Sequence, residues 1–142
     1  MQLTNLDHTA TVNHGIVSRA SSGLTRSSWY RAIAAGQLEQ IHPGVARLHG
    51  TARTPEQRIA AAVIATGPSS MASHRSAAHL WGIPRPDDDP VDVIIVGTRR
   101  RFTGVDDVVI HRPRDLEHLA PQRRSGIVCT NVLRAMLDLG AV

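Results

Sequence analysis

The sequence predicts a small α+β protein in two parts, about residues 1–50 and 51–142. Three observations carry that expectation. Arg26 to Ala35 places apolar side chains at helical spacing between Thr25 and Gly36. Two short strand-like runs then flank His42-Pro43-Gly44. Beyond residue 50, alanine-rich helical stretches precede a β-branched run, Val91-Asp92-Val93-Ile94-Ile95-Val96.

Residues 1–14 suit an opening helix, with Leu3, Leu6 and Ala10 on one side and His14-Gly15 ending it. Ser18 to Ser22 reads as a short second helix, with Gly23 as the turn. Thr25 is a natural N-cap, because its hydroxyl can accept from a first-turn N–H that lacks a helical partner. The helix it opens runs to Ala35, and Gly36 suits the left-handed residue that ends it. Trp29 and Ile33, four apart, share a face that would press onto Leu24 and the preceding helix. The other face presents Arg26, Ser27, Tyr30 and Arg31. Leu38–Ile41 and Val45–Leu48 around the Pro-Gly turn read as a β-hairpin. Helix, turn, helix and hairpin together spell a winged helix-turn-helix. On the pattern alone, any small α+β domain with a hairpin would also serve.

Gly50 to Arg53 is a polar connector. Thr54-Pro55-Glu56-Gln57 is a helix start with a capping threonine, proline at the first position and glutamine three residues after the cap. Ile59, Ala62 and Val63 recur at helical spacing, and Gly67-Pro68 ends the run. A further helix is expected from Ser73 to Trp81, with Ala77, Leu80 and Trp81 apolar and Gly82 as its stop. Arg85 to Pro90, with two prolines and three adjacent acids, is a loop. Val91–Val96 and Val108–His111 should be neighbouring strands linked through Arg99-Arg100-Arg101. Arg112 to Gly126 reads as polar and irregular. Thr130-Asn131 can cap a last helix whose apolar face is Val132, Leu133, Met136 and Leu137. The expected cores are Trp29, Ile33, Leu38, Ile41 and Val45 in the first part. In the second they are Ile59, Val63, Leu80, Trp81, Val93, Ile95 and Leu137.

Composition narrows the functional classes. No apolar run approaches the ~20 residues of a membrane span, and the N-terminus lacks the pattern of a signal peptide, which points to the cytoplasm. The single cysteine, Cys129, excludes an internal disulfide framework and lies in an apolar run that suits a buried thiol. There is no lysine, so all 16 basic residues are arginine, which GC-rich coding alone can produce. Residues 1–82 carry seven arginines against Asp7, Glu39 and Glu56, whereas the nine arginines and nine acids of residues 83–142 cancel. The whole net charge of +4 therefore sits on residues 1–82, the half that contains the helix-turn-helix, which supports a polyanion-binding module.

Other constellations are weaker. His74 and His79 are five apart and lie about 140° apart around a helix axis, so they cannot share a metal as i, i+4 histidines do. Asp87, Asp88, Asp89 and Asp92 could be nuclease carboxylates, but a run of three in a loop normally faces water, and the lysine usual beside such acids is missing. No Gly-rich phosphate loop or nucleophile elbow is present. Neither a cofactor nor a catalytic residue is expected. His74-Arg75 would place cations at the positive end of a helix dipole, a conflict that a bound anion or a nearby acid would relieve. Arg99, Arg100 and Arg101 are either a solvated hairpin tip or a second patch against DNA backbone. The candidate DNA-binding set is thus Arg26, Ser27, Ser28, Tyr30 and Arg31 on the recognition helix, Arg47 on the wing, and those three arginines. Arg31 suits a guanine edge and Arg47 a phosphate.

With these residues in view, the chain resembles the AbiEi-type antitoxin family. The resemblance lies in GIVSRA, GLTRSSWYRAIAAGQL, IHPGVARLHG, TPEQRIAAAVIATGP, SHRSAAHLWGIP, VDVIIV before an Arg-rich turn, VVIHR and VLRAMLDLGAV. It covers about residues 12–140, with SHRSAAHLWG its most specific element. It implies a DNA-binding antitoxin that represses its own operon and counteracts a nucleotidyltransferase-type toxin without tight contact. It departs from the family in a helix after Arg19 about one turn short, in Ala46 where the wing often has an aromatic, and in ending where relatives commonly continue. Three classes follow: a repressor or antitoxin on its own promoter, possible as a homodimer; the specificity part of a longer restriction-endonuclease-like protein; or a protein-interaction module without DNA binding.

Overall fold

The computed structural model describes residues 13–97 and 101–142. The expected opening helix falls on residues 1–12 and so lies outside the described residues, as do Arg99 and Arg100. The protein is mixed α+β, with five helices and two sheets among the described residues.

The first part runs β1 (Ile16–Ser18), α1 (Arg19–Ser22), α2 (Arg26–Ala34), β2 (Leu38–His42) and β3 (Val45–Leu48). Its sheet is antiparallel in the order β1-β3-β2. β1 was not foreseen, because three residues are too few to show alternation. α1 is a single turn closed by a reciprocal cap, in which Ser18 accepts from Ser21 N at 3.1 Å and Ser21 accepts from Ser18 N at 3.3 Å. Gly15, at φ +86, leads into β1, and a Cβ there would lie 2.6 Å from Thr51 Oγ1. Only glycine fits both the dihedral and the approach.

Strand period 2 explains the burial of this sheet on both sides. On one side, Val17 and Ala46 join Trp29, Ala32 and Leu38, with Leu24, Ile33 and Leu48 partly buried around them. On the other side, Ile16 and Val45 pack with the helix that follows. Val45 therefore belongs to the second core rather than to that of Trp29. Ala46, cross-strand from Val17, is fully buried in the Trp29 cluster.

The second part runs α3 (Pro55–Thr66), β4 (Ser70–Ala72), α4 (His74–Leu80), β5 (Val91–Ile95), β6 (Val108–His111), β7 (Gln122–Arg124), β8 (Ile127–Cys129) and α5 (Val132–Leu139). Its sheet has the order β6-β5-β4-β8-β7, with β5–β6 and β4–β8 parallel and the other two pairs antiparallel. Thr54 caps α3 as expected, accepting from Gln57 N at 3.1 Å. Ile59 and three consecutive alanines of α3 share a core with Ile16, Val45, Ala77, Val91, Val93, Ile127 and Cys129. The two parts thus meet through one shared core. No helix among the described residues is long and apolar enough to cross a membrane.

Two expectations need correcting. β7 and β8 lie in and beside the segment read as irregular; β7 is an exposed edge strand of Gln122, Arg123 and Arg124, a sequence with no β propensity of its own. The larger correction concerns α5. Leu133, Met136 and Leu137 are 71%, 57% and 77% exposed, and Leu137 is not in the core. The inward face is Arg134 and Ala135. Arg134 donates to Asp138 at 3.0 Å and to the carbonyls of Glu117 and Asp115 at 3.0 and 3.1 Å. A guanidinium with four oxygen partners, the two carboxylate oxygens of Asp138 and the two carbonyls, can be buried.

Candidate nucleic-acid interface

α2 is positioned by its cap and its tryptophan. Thr25 accepts from Ser28 N at 3.1 Å and donates to Ser28 Oγ at 3.0 Å, so Ser28 is half-buried inside the cap. Trp29 is fully buried. That fixes the rotation of the helix and turns Arg26, Ser27, Tyr30 and Arg31 to solvent. The Arg26 guanidinium lies 6.0 Å from the centroid of the Tyr30 ring, at the outer limit of a cation–π contact. No acidic residue lies on α2. The face is a row of hydrogen-bond donors and positive charge.

Arg47 is placed differently from expectation. It stands cross-strand from Glu39 and is 8% exposed. Its Nη2 donates to Glu39 at 2.9 Å, and its Nη1 donates to the Thr51 carbonyl. Arg53 adds a second bond to the same carboxylate at 2.7 Å, and these two guanidinium hydrogen bonds hold Glu39 below the usual carboxylate range. A guanidinium so engaged is not available to a phosphate. Alternation along the strand, which placed Arg47 on the hairpin, could not say that its partner was Glu39.

The hairpin turn has neighbours that the sequence did not reveal. Arg19 N donates to Gly44 O at 2.8 Å, so α1 begins beside the turn, and the Arg19 side chain is exposed there. On the other side comes the β5–β6 loop: a Cβ on Gly104 would meet Pro43 Cγ at 3.1 Å. Arg101, three residues before that contact, is exposed. The loop's far end is tied down by Asp107, which accepts from Arg58 at 2.9 Å. His42, the last residue of β2, is 6% exposed, with no partner on Nδ1. Burial lowers its pKa, against a smaller opposing pull from Asp106.

The strongest buried charges lie elsewhere. Asp92, on β5, is fully buried. It accepts from Arg75 Nε at 2.7 Å and Nη2 at 2.9 Å, from Arg75 N at 3.2 Å and from His111 Nε2 at 2.9 Å. Burial alone would raise its pKa, but Arg75 and His111 outweigh it and hold the carboxyl low. This is the acid that relieves the cations at the start of α4. His74 stacks on His111 with centroids 3.7 Å apart, and burial together with the charge of His111 lowers the pKa of His74. His79 pairs instead with Glu56 at 2.8 Å. The Asp92 cluster is closed by its own partners and ties α4 to β5 and β6. Among the described residues, no three His, Cys, Asp or Glu side chains converge as a metal site.

No protein-family model matches the chain, and no curated protein is similar enough to count as a relative.

Proposed function

We propose that the protein is a DNA-binding transcriptional repressor. Its first part is read as a winged helix-turn-helix, with α1 and α2 as the helix pair, α2 as the recognition helix and β2–β3 as the wing. The observation that carries the reading is the rotation of α2: Trp29 is inward, while Arg26, Tyr30 and Arg31 are outward on a helix without an acid. Such a face suits base edges in a major groove, where arginine can donate twice to guanine. The backbone-positioning role passes from Arg47 to Arg19, whose N–H donates to Gly44 of the wing turn, and to Arg101, exposed three residues before Gly104. Phosphate contacts from those places would fix the register without reading sequence.

The antitoxin role, with repression of its own operon and a nucleotidyltransferase-type toxin as the functional counterpart, rests on the sequence resemblance. The test is binding of the purified protein to DNA upstream of its own gene, at two salt concentrations, against random DNA of equal length. Specific binding that weakens with salt is expected, the slope reporting the phosphates neutralised. Equal binding to both DNAs would reduce the reading to a non-specific polycation. No binding to either would remove it.

A further inference from the structure

The hydrogen-bond phase of the hairpin determines which backbone groups of β2 are left over. His49 N donates to Gln37 O at 3.0 Å, so Gln37 and His49 form a bonded pair, and by alternation Glu39 and Arg47 form the next. Leu48 N donates the other way, to Gly15 O at 2.8 Å, as that alternation demands. Leu38 and Gln40 fall on the intervening positions. Their N–H and C=O groups therefore point away from β3, and β2 is the last strand of its sheet. Outside the sheet, no backbone partner meets Gln40 among the described residues.

Opposite this edge stands the start of α3. Between them runs an open groove of about 470 Å³, walled by Glu39, Gln40 and Ile41 on one side and by Thr54, Pro55 and Arg58 on the other. That volume lies in the ~300–1,000 Å³ range of pockets that hold a ligand. The edge strand of the larger sheet, β7, is different. It shows Gln122, Arg123 and Arg124 to solvent, and charge there discourages pairing. On β2 the one acid, Glu39, is drawn back across the strand onto Arg47.

We propose that β2 takes an extended segment of a partner protein into this groove as a fourth strand of the sheet. In strand addition the backbone bonds supply affinity and alternate side chains supply specificity. The side chains on either side of the residue paired with Gln40 face the start of α3. One of them meets Ile41 and Pro55 and must be apolar. The other meets Arg53, whose side chain is 68% exposed and shares the single Glu39 carboxylate with Arg47. That end carries one surplus positive charge, and an acid complements it. An acid is disfavoured at the Ile41 end. There Arg58 is spent on the Asp87 and Asp89 carbonyls and on Asp107, and the Asp87 side chain is exposed. Run antiparallel, like its neighbours, the segment reads apolar residue, any residue, acid. A second copy of β2 does not meet this pattern. Pairing Gln40 with its own copy sets the copy's Glu39 against Ile41, at the Asp87 end, where like charges oppose each other.

The probe is a blocked peptide, Ser-Thr-Val-Thr-Glu-Thr-Ser, titrated into the isotope-labelled full chain and followed by amide NMR. The Gln40 amide should exchange freely in the unbound protein, then shift and become protected as peptide is added, with a Kd between about 10 µM and 1 mM. Replacing the peptide's Glu by Lys, or N-methylating the Thr between Val and Glu, should each weaken binding about tenfold or more. Gln40→Pro removes only an outward N–H, so it should keep the urea midpoint near wild type and lose peptide binding. Arg53→Glu should invert the preference for Glu over Lys. If Gln40→Pro fails to fold, the N-methylated peptide tests the same pairing from the partner's side. No shift at Gln40 up to about 1 mM peptide overturns the proposal. So does equal binding of the N-methylated peptide, which would leave a groove without strand addition. A Gln40 amide already protected in the unbound protein also overturns it. Protection that grows with protein concentration would assign the edge to a second copy, and constant protection to residues 1–12. The proposal needs no DNA binding and stands or falls apart from it.

Discussion

α2 and α5 are two short amphipathic helices of one chain, each opened by a side-chain cap. They face opposite ways. α2 buries Trp29 and Ala32 and shows arginine to solvent; α5 buries Arg134 and Ala135 and shows leucine. Periodicity identifies which residues share a face. Which face turns inward depends on what waits there. Under α2 lies the apolar side of a sheet, whereas beside α5 lie the carbonyls of Asp115 and Glu117, which together with Asp138 of the helix itself accept from Arg134. The first arrangement leaves cations in solvent, and the second leaves apolar side chains there.

The comparison is sharpest in stability. Trp29→Ala should cost about 3–5 kcal/mol, as removal of a fully buried large side chain does. Leu137→Ala should stay within about 0.5 kcal/mol when measured on the monomer. Urea unfolding of the two variants measures the contrast; equal losses would mean that Leu137 is packed and the orientation given for α5 is wrong.

Charges in the second part should matter for folding. Arg75→Ala strips the buried Asp92 of its two-bonded partner and should destabilise by about 3 kcal/mol. Arg47→Ala should cost less, about 1–2 kcal/mol, since Glu39 is half-exposed and keeps Arg53. Arg47→Ala should also leave the salt slope of DNA binding unchanged. A slope reduced by one contact would return the phosphate role to Arg47.

Acid should weaken the fold smoothly. His74 and His42 both have lowered pKa values, so between pH 7 and 5 the unfolded chain binds protons that the folded chain refuses. Stability then rises with pH in that window and falls as pH drops through the ordinary histidine range near 6.5. Asp92, held low, loses its contribution only at more acidic pH, below the ordinary aspartate range. Urea midpoints at pH 5, 6 and 7.5 should increase in that order, with a shallower trend for His42→Gln. A flat profile would mean that neither imidazole is kept neutral by the fold.

Much of the first part was legible because its signals are local. Thr25, Gly36, the Pro-Gly turn and the Trp29–Ile33 spacing each act within a few residues, and α2, β2 and β3 lie within a residue or so of their expected limits. Thr54, Asn131 and the strands at Val91 and Val108 were readable for the same reason. What escaped was set by distant partners. β4, β7 and β8 are three residues each and exist because of the strands beside them. Arg47 is withdrawn by Glu39, eight residues away; Arg75 and His111 are gathered by Asp92, from α4 and β6. The proximity of Gly104 to Pro43, which brings the end of the β5–β6 loop to the β2–β3 turn, leaves no trace in either local sequence.

The central claim is that the outward face of α2 reads DNA, and Arg31→Ala tests it most directly. Arg31 is exposed, so the substitution should leave the unfolding midpoint nearly unchanged. Affinities of wild type and variant for the upstream DNA and for random DNA, measured at one salt concentration, then isolate recognition from folding. The variant should lose ~1–3 kcal/mol on the upstream DNA, relax its preference at one base position, and bind random DNA within a few-fold of wild type. An equal loss on both DNAs, or no loss on either, would contradict the claim that this helix reads bases.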